Sequence, residues 1–377
     1  MRNMASEKQS STNGIAQLIP KLVEAGLSGN RQRLELLSLN AIRSFKSELP
    51  EMTGRLGGLL AQFSANGTAL RFHTAEPPPT DVDAGLALLR IHSADDAPEP
   101  ILAKSVSEAV ERFLRERLES DCLLREGFGP PRTLLLKGAP GTGKTMLACS
   151  LARKLQLPLV ALDLATSISS YLGKTGSNLR RSLDYARAKP CVLLLDEFDA
   201  IGKRRDDSTE VGELKRIVNV LLKELEEWPM HSVLVAATNH PELLDPAINR
   251  RFDVVIQLPL PGEIEREAIL KIGCGHFADS LPKGFLTAMS KVLENRNGSE
   301  LDSLAQSVVR QHIVEKTPLA PFFIGEIERR FSDGLPTKDL GSLTKSLQEA
   351  AGLSVREIAA LIGKSSSTVQ YHLTKKE

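Results

Sequence analysis

Three glycines and one lysine constrain this chain more than anything else in it. Gly138, Ala139, Pro140, Gly141, Thr142, Gly143, Lys144 and Thr145 follow the apolar Leu134, Leu135 and Leu136 and lead into Met146, Leu147, Ala148 and Cys149. A strand, a loop and a helix in that order turn consecutive backbone N–H groups inward around phosphates, and the helix N-terminus adds its positive end. The glycines permit the curl, Lys144 brings a cation to the β- and γ-phosphates, and Thr145 offers a hydroxyl to Mg²⁺. The stretch from Gly138 to Met146 is therefore expected to hold ATP or GTP.

A second run, Cys191 to Leu195, is apolar throughout and ends in Asp196, Glu197 and, after Phe198, Asp199. Such a run reads as a strand buried on both faces, and open parallel sheets present ligands at the carboxyl ends of their strands. Asp196 is then placed to hold the Mg²⁺ shell and Glu197 to orient and activate the attacking water. The pair implies hydrolysis rather than binding alone. Asp199 reads equally well as a cap on the next turn.

Further strands are expected at Thr133 to Leu136, Leu157 to Leu164, Val192 to Leu195, Val233 to Ala237 and Val254 to Leu260, alternating with helical patterns. That alternation predicts an α/β fold with a parallel sheet core. Before it, Ile19, Leu22, Val23, Leu34, Leu37, Ile42 and Leu56 recur at helical spacing, an N-terminal helical bundle. Pro- and Asp-rich stretches between the two have the composition of a linker. After Pro261 and Gly262 only helical patterns remain. The expected division is an N-terminal helical domain at 1–75, a linker at 76–100, the nucleotide-binding core at 101–262, a helical lid at 263–334 and a compact three-helix tail at 335–377.

Composition narrows the partners. Lys+Arg 48 against Asp+Glu 47 leaves a formal net charge of +1, so no overall field draws the molecule to nucleic acid or a membrane. Any such contact must be local. Cys122, Cys149, Cys191 and Cys274 are scattered without metal-ligand spacing, and reduced thiols are expected. The first residues hold no apolar h-region, and no apolar run is long enough to span a bilayer, so a cytoplasmic address is expected.

These residues resemble the AAA subgroup of the AAA+ ATPases, ring-forming remodelling machines, over roughly Ile101 to Val314. The resemblance implies a P-loop AAA+ core with ATP and Mg²⁺ as cofactors. Adenine over guanine follows from the resemblance and from the absence of a guanine-reading Asn-Lys-x-Asp tetrad. Val233 to Asn239 is similar to the family's sensor strand, in which Asn239 would touch the γ-phosphate or the attacking water. Leu244 to Asp253 is similar to the arginine-finger segment, with Arg250 or Arg251 reaching the neighbouring subunit's γ-phosphate. A finger that acts in trans implies a homo-oligomeric ring, and the family norm is a hexamer.

Ser169, Ser170, Tyr171, Leu172, Gly173 and Lys174 resemble the first pore loop, where Tyr171, Leu172 and Gly173 would grip a protein client. Lys174 departs from the acid that often follows that glycine. Gly202 to Asp207 would be the second pore loop. Asn297 to Leu301 resembles the lid segment beside the adenosine, and Gly127, Phe128, Gly129 and Pro130 the loop that receives the adenine.

The tail from Leu353 to Leu373 has the spacing of a helix-turn-helix: Ala359 allows a close helix crossing, Gly363 supplies the turn, and Ser365 caps the next helix. Ile358, Leu361, Val369 and Leu373 would share its core. Ser366, Ser367, Gln370 and Tyr371 are left facing outward, where DNA contact is possible, with Lys364, Lys375 and Lys376 adding non-specific attraction. A packing or adaptor module of the same shape is the alternative. The expected functions are thus a ring ATPase that remodels or threads a protein client, or an ATP-switched DNA-binding regulator. A component of an assembly or defence system is compatible with both.

Overall fold

In the computed structural model, which describes residues 18–27, 31–46, 49–65, 79, 89–92, 98–164, 175–201, 221–330 and 337–374, the apolar runs become strands. β1 (Arg90–His92), β2 (Thr133–Gly138), β3 (Leu159–Asp163), β4 (Val192–Asp196), β5 (Val233–Thr238) and β6 (Val254–Leu258) form one sheet in the order β1-β3-β4-β5-β2-β6. β3, β4, β5 and β2 run parallel to one another. All of β5 is buried, as is β4 up to Leu195, which is why these strands carry no polar alternation.

β1 pairs antiparallel with β3, Ile91 opposite Val160. It lies in the stretch expected to be only a linker, and three residues are too few to show a period.

The chain divides into two compact units. The first comprises Met1–Glu99, Ser107–Lys137 and Lys144–Gln257 and holds most of the sheet. Its core joins Leu135, Val160, Leu162, Leu193, Leu195 and Leu234 to Trp228 and to Leu179 and Leu183. Helices α1 (Arg31–Phe45) and α2 (Pro50–Ala65) belong to this unit, as do most of α3 (Lys104–Leu118), α4 (Ser120–Arg125), α5 (Lys144–Lys154) and α6 (Thr175–Arg187). Leu39 of α1 meets Leu124 of α4 and Met230 in a small separate cluster. α2 approaches α4 closely: a Cβ on Gly57 would lie 3.2 Å from the Arg125 Cα.

The second unit comprises Pro100–Val106, Gly138–Gly143 and Leu258–Glu377. Its helices are α7 (Glu263–Cys274), α8 (Phe285–Val292), α9 (Gly298–Glu315), α10 (Leu319–Arg330), α11 (Thr337–Ala351), α12 (Val355–Ile362) and α13 (Ser366–Thr374). One apolar cluster runs through all seven, from Leu270, Phe285 and Met289 through Leu304 and Phe323 to Leu347, Ile358 and Val369. The lid and tail helices, read from the sequence as two modules, share this cluster. Capping residues set their ends. Asn297 and Glu300 make a reciprocal capping box on α9, Ser354 and Glu357 another on α12, and Gly363 ends α12 at φ 66°. No helix among the described residues is long and apolar enough to cross a membrane.

Candidate functional site

The phosphate loop departs from the end of β2. Gly141 and Gly143 have φ of +74° and +91°, backbone that L side chains rarely adopt, and at Gly138 a Cβ would lie 2.5 Å from the Leu258 carbonyl oxygen. Thr142 Oγ1 closes the loop on itself by donating to the Ala139 carbonyl at 2.8 Å. Ala139 and Pro140 are exposed.

Within the second unit the lid meets this loop. The Ser299 N–H donates to the Gly141 carbonyl at 3.2 Å, and a Cβ on Gly141 would stand 2.4 Å from Asn297 Oδ1. Ile101, Ala103, Val106, Ile269 and Gly298 line, with Thr142 and Glu265, a small cavity of about 30 Å³. The loop Gly127 to Pro130, expected to receive the adenine, packs against α1. Gly127, at φ +82°, lies against Arg43, whose Nε donates to the Gly127 carbonyl and whose guanidinium stands 4.9 Å from the Phe128 ring centroid. A local Gly-Phe-Gly-Pro pattern says nothing about which distant helix will cover it.

Within the first unit Lys144 and Thr145 open α5, with Met146 following, exposed. The Lys144 side chain is buried, and burial pulls its pKa below the usual lysine range, opposed by the charges of Asp196 and Asp199. Thr145 Oγ1 donates to Asp196 Oδ2 at 3.1 Å, and the other carboxylate oxygen of Asp196 accepts the Glu197 N–H at 2.9 Å. Glu197 has φ 52°, a left-handed conformation uncommon for a residue with a Cβ, at the point where the strand ends. That turn lets Asp196 and Glu197 stand side by side as acids at the carboxyl edge of the sheet, where β5 also ends: Lys137 is in register with Thr238, and Leu195 with Ala236.

Asp199 does more than cap a turn. Almost wholly buried, its Oδ1 accepts from the Thr238 hydroxyl at 3.1 Å and from the Asn239 N–H at 3.2 Å. The acid strand thereby fixes the backbone of the expected sensor residue. Spacing alone did not reveal this role, because the acceptor and its donors are some forty positions apart.

The segment carrying the arginine pair is anchored from both sides. Phe252 packs edge-to-face on Phe198, ring centroids 5.8 Å apart. Asp253 Oδ2 accepts the N–H groups of Arg132 and Thr133 at 2.6 and 3.0 Å. Asp245 caps the short helix Pro246–Asn249. Of the two arginines, Arg251 is ion-paired with Glu226 of its own chain, whereas Arg250 is exposed and has no partner among the described residues. The sequence leaves the two equivalent, because Glu226 lies some twenty-five positions from its partner.

Tyr171, Leu172 and Gly173, with the rest of the first expected pore loop, lie outside the described residues, as does the second pore loop at 202–207. In the tail, Ser366, Ser367, Gln370 and Tyr371 are exposed as expected, and Ser365 Oγ accepts the Thr368 N–H at 3.2 Å. Of the expected core, Ile358 and Val369 are buried, Leu361 and Leu373 only partly so, and Ala359 and Ile362 are buried with them.

Residues 134–260 match the family described as ATPase family associated with various cellular activities (AAA), and residues 345–375 match winged helix-turn-helix DNA-binding. An uncharacterized AAA family ATPase, y4kL, of Sinorhizobium fredii is 34% identical over 228 residues, 60% of this chain and 68% of the relative. The 26S proteasome regulatory subunit 10B homolog A of Arabidopsis thaliana is 36% identical over 207 residues, and the chain spans about half of that protein, 51% of its length. Among solved structures, the FIGL-1 AAA domain superposes with a TM-score of 0.50 at 18% identity, covering 73% of this chain and 90% of that one, a likeness of fold.

Proposed function

The chain belongs to the AAA family of ATPases, P-loop ATP hydrolases, and from that premise we propose that it works as a homo-oligomeric ring, a hexamer, that uses Mg-ATP hydrolysis to pull on or remodel a protein client. The observation that carries the reading is the Asp196 carboxylate, bonded on one side to Thr145 and on the other to the Glu197 backbone. A hydroxyl and a carboxylate are hard oxygen donors of the kind Mg²⁺ takes while keeping several waters. Thr145 and Asp196 would hold that ion, which when bound neutralises charge on the β- and γ-phosphate oxygens.

The remaining roles fall to the chain itself. Backbone N–H groups from Gly141 to Thr145 cradle the phosphates, and Lys144 adds its charge. Glu197 accepts the proton of the attacking water. Asn239, held through Asp199, positions that water with a neutral amide. Arg250 serves the neighbouring subunit, because Glu226 engages Arg251 within its own chain. Tyr171, Leu172 and Gly173 grip the polypeptide client, and the helices before residue 76 select it.

ATPase turnover of wild type and Tyr171→Ala, measured across protein concentration with unfolded polypeptide or duplex DNA added separately, tests this. Turnover per subunit is expected to rise with concentration, and stimulation by polypeptide to vanish in Tyr171→Ala. Turnover independent of concentration would remove the ring. Stimulation by polypeptide that survives in the variant would remove threading.

A second reading, DNA contact through the tail, is favoured by the match of residues 345–375 and by the exposed polar face of α13. It predicts duplex binding that weakens as salt rises, because phosphate contacts release counterions.

A further inference from the structure

The lid and tail helices are not two bodies on a string. Leu343 and Leu347 of α11, Ile358 and Ile362 of α12 and Val369 of α13 are buried in the same cluster as Leu270, Phe285, Met289 and Phe323. Gly284, at φ +76°, leads into α8 so close to the end of α11 that a Cβ there would lie 1.8 Å from the Ala350 carbonyl oxygen. A packed interior of this kind transmits displacement instead of absorbing it.

The same unit contains the phosphate loop. Gly141 gives its carbonyl to the Ser299 N–H and lies against Asn297, the capping residue of α9. α9 then carries Leu301, Leu304 and Val308 into the shared cluster. Phosphates in the loop require its peptides to aim their N–H groups inward, so they act on a backbone already bonded to the first turn of α9. From Gly141 to the outer face of α13 every link is a hydrogen bond, a helix or a packed side chain. On that face Gln370 and the half-exposed Tyr371 stand beside Ser366 and Ser367, with Lys364 on the preceding turn.

We propose that nucleotide in the phosphate loop and duplex DNA on the outer face of α13 are linked ligands of one packed unit, each changing the affinity of the other. The inference rests on the DNA reading and adds to it a linkage between the two ligands. Because linkage is reciprocal for equilibrium binding, the two effects must have equal size.

The experiment uses the full chain, a fluorescent ADP analogue and a labelled random-sequence duplex. Duplex affinity is measured by anisotropy with and without ADP, and ADP-analogue affinity with and without saturating duplex. A change of about 5-fold or more, equal in both directions, is expected. The double variant Gln370→Ala/Tyr371→Ala, both positions exposed, is expected to lose duplex binding while binding the ADP analogue as wild type does. Hydrogen exchange gives a readout that needs no DNA: ADP is expected to alter protection in α12 and α13 together with α9.

Duplex binding indifferent to ADP, or an exchange change that stops at α10, overturns the linkage and leaves the DNA reading standing. Absence of any salt-sensitive duplex binding overturns both. Failure of the wild type to bind the ADP analogue would instead overturn the nucleotide site.

Discussion

Glu197 stands at φ 52° one residue past Asp196, and Asp196 holds its N–H. On the proposed reading Glu197 is the base, and removing it should separate binding from turnover. Glu197→Gln is expected to bind ATP as wild type does while phosphate release falls by about 10²-fold or more. Turnover at the wild-type rate would remove Glu197 as the base. Asp199 is a positioning residue. Asp199→Ala leaves the Thr238 hydroxyl, which is wholly buried, and the Asn239 N–H without their acceptor, at a cost of about 1–3 kcal/mol in urea denaturation. For the arginine pair, mixing with Lys144→Ala subunits decides. Arg250→Ala rings should lose about 10³-fold in turnover and regain part of it when Lys144→Ala subunits supply the intact finger. Rescue of Arg251→Ala in place of Arg250→Ala would reverse the assignment drawn from the Glu226 ion pair. The motif residues were legible because phosphate and metal chemistry admit few residue types at fixed spacing. Asp199, Glu226 and Asp253 were not, since each acts on partners far away in sequence.

At the level of elements, periodicity located most of the helices and the central strands, because burial on one face or both leaves its period in the sequence. What it could not name was the partner that each apolar face meets. The tail helices show a helix-turn-helix spacing, yet their apolar side chains complete the core begun by Leu270 and Phe285. Removing residues after 336 should therefore damage the lid: exposing that core is expected to lower the midpoint of thermal unfolding and weaken nucleotide binding. A truncated chain that melts as the full chain does would make the tail a separate module. Gly284→Ala tests the seam more finely, since the new methyl meets the Ala350 carbonyl and the residue must also hold φ +76°. A loss of about 1–3 kcal/mol in denaturant unfolding is expected.

For the whole molecule, the chain's membership of the AAA family and the trans role proposed for Arg250 together argue for assembly. Sedimentation should show a single closed oligomer with a slowly hydrolysed ATP analogue and smaller species without nucleotide. A monomer under both conditions would leave Arg250 without a site to serve. The parallel pairing of the central strands, the phosphate loop, the acids at the strand end and the helix-turn-helix spacing were all determined by the sequence itself, through backbone geometry and the few side chains that phosphate and metal chemistry accept. The tertiary structure alone decided the antiparallel edge strand β1, the packing of Gly127 and Phe128 against α1, the ion pair of Arg251 with Glu226, and the single core of lid and tail. Each of these is a contact between segments remote along the chain. A local pattern records which face is apolar or charged, and only folding decides which surface it will meet.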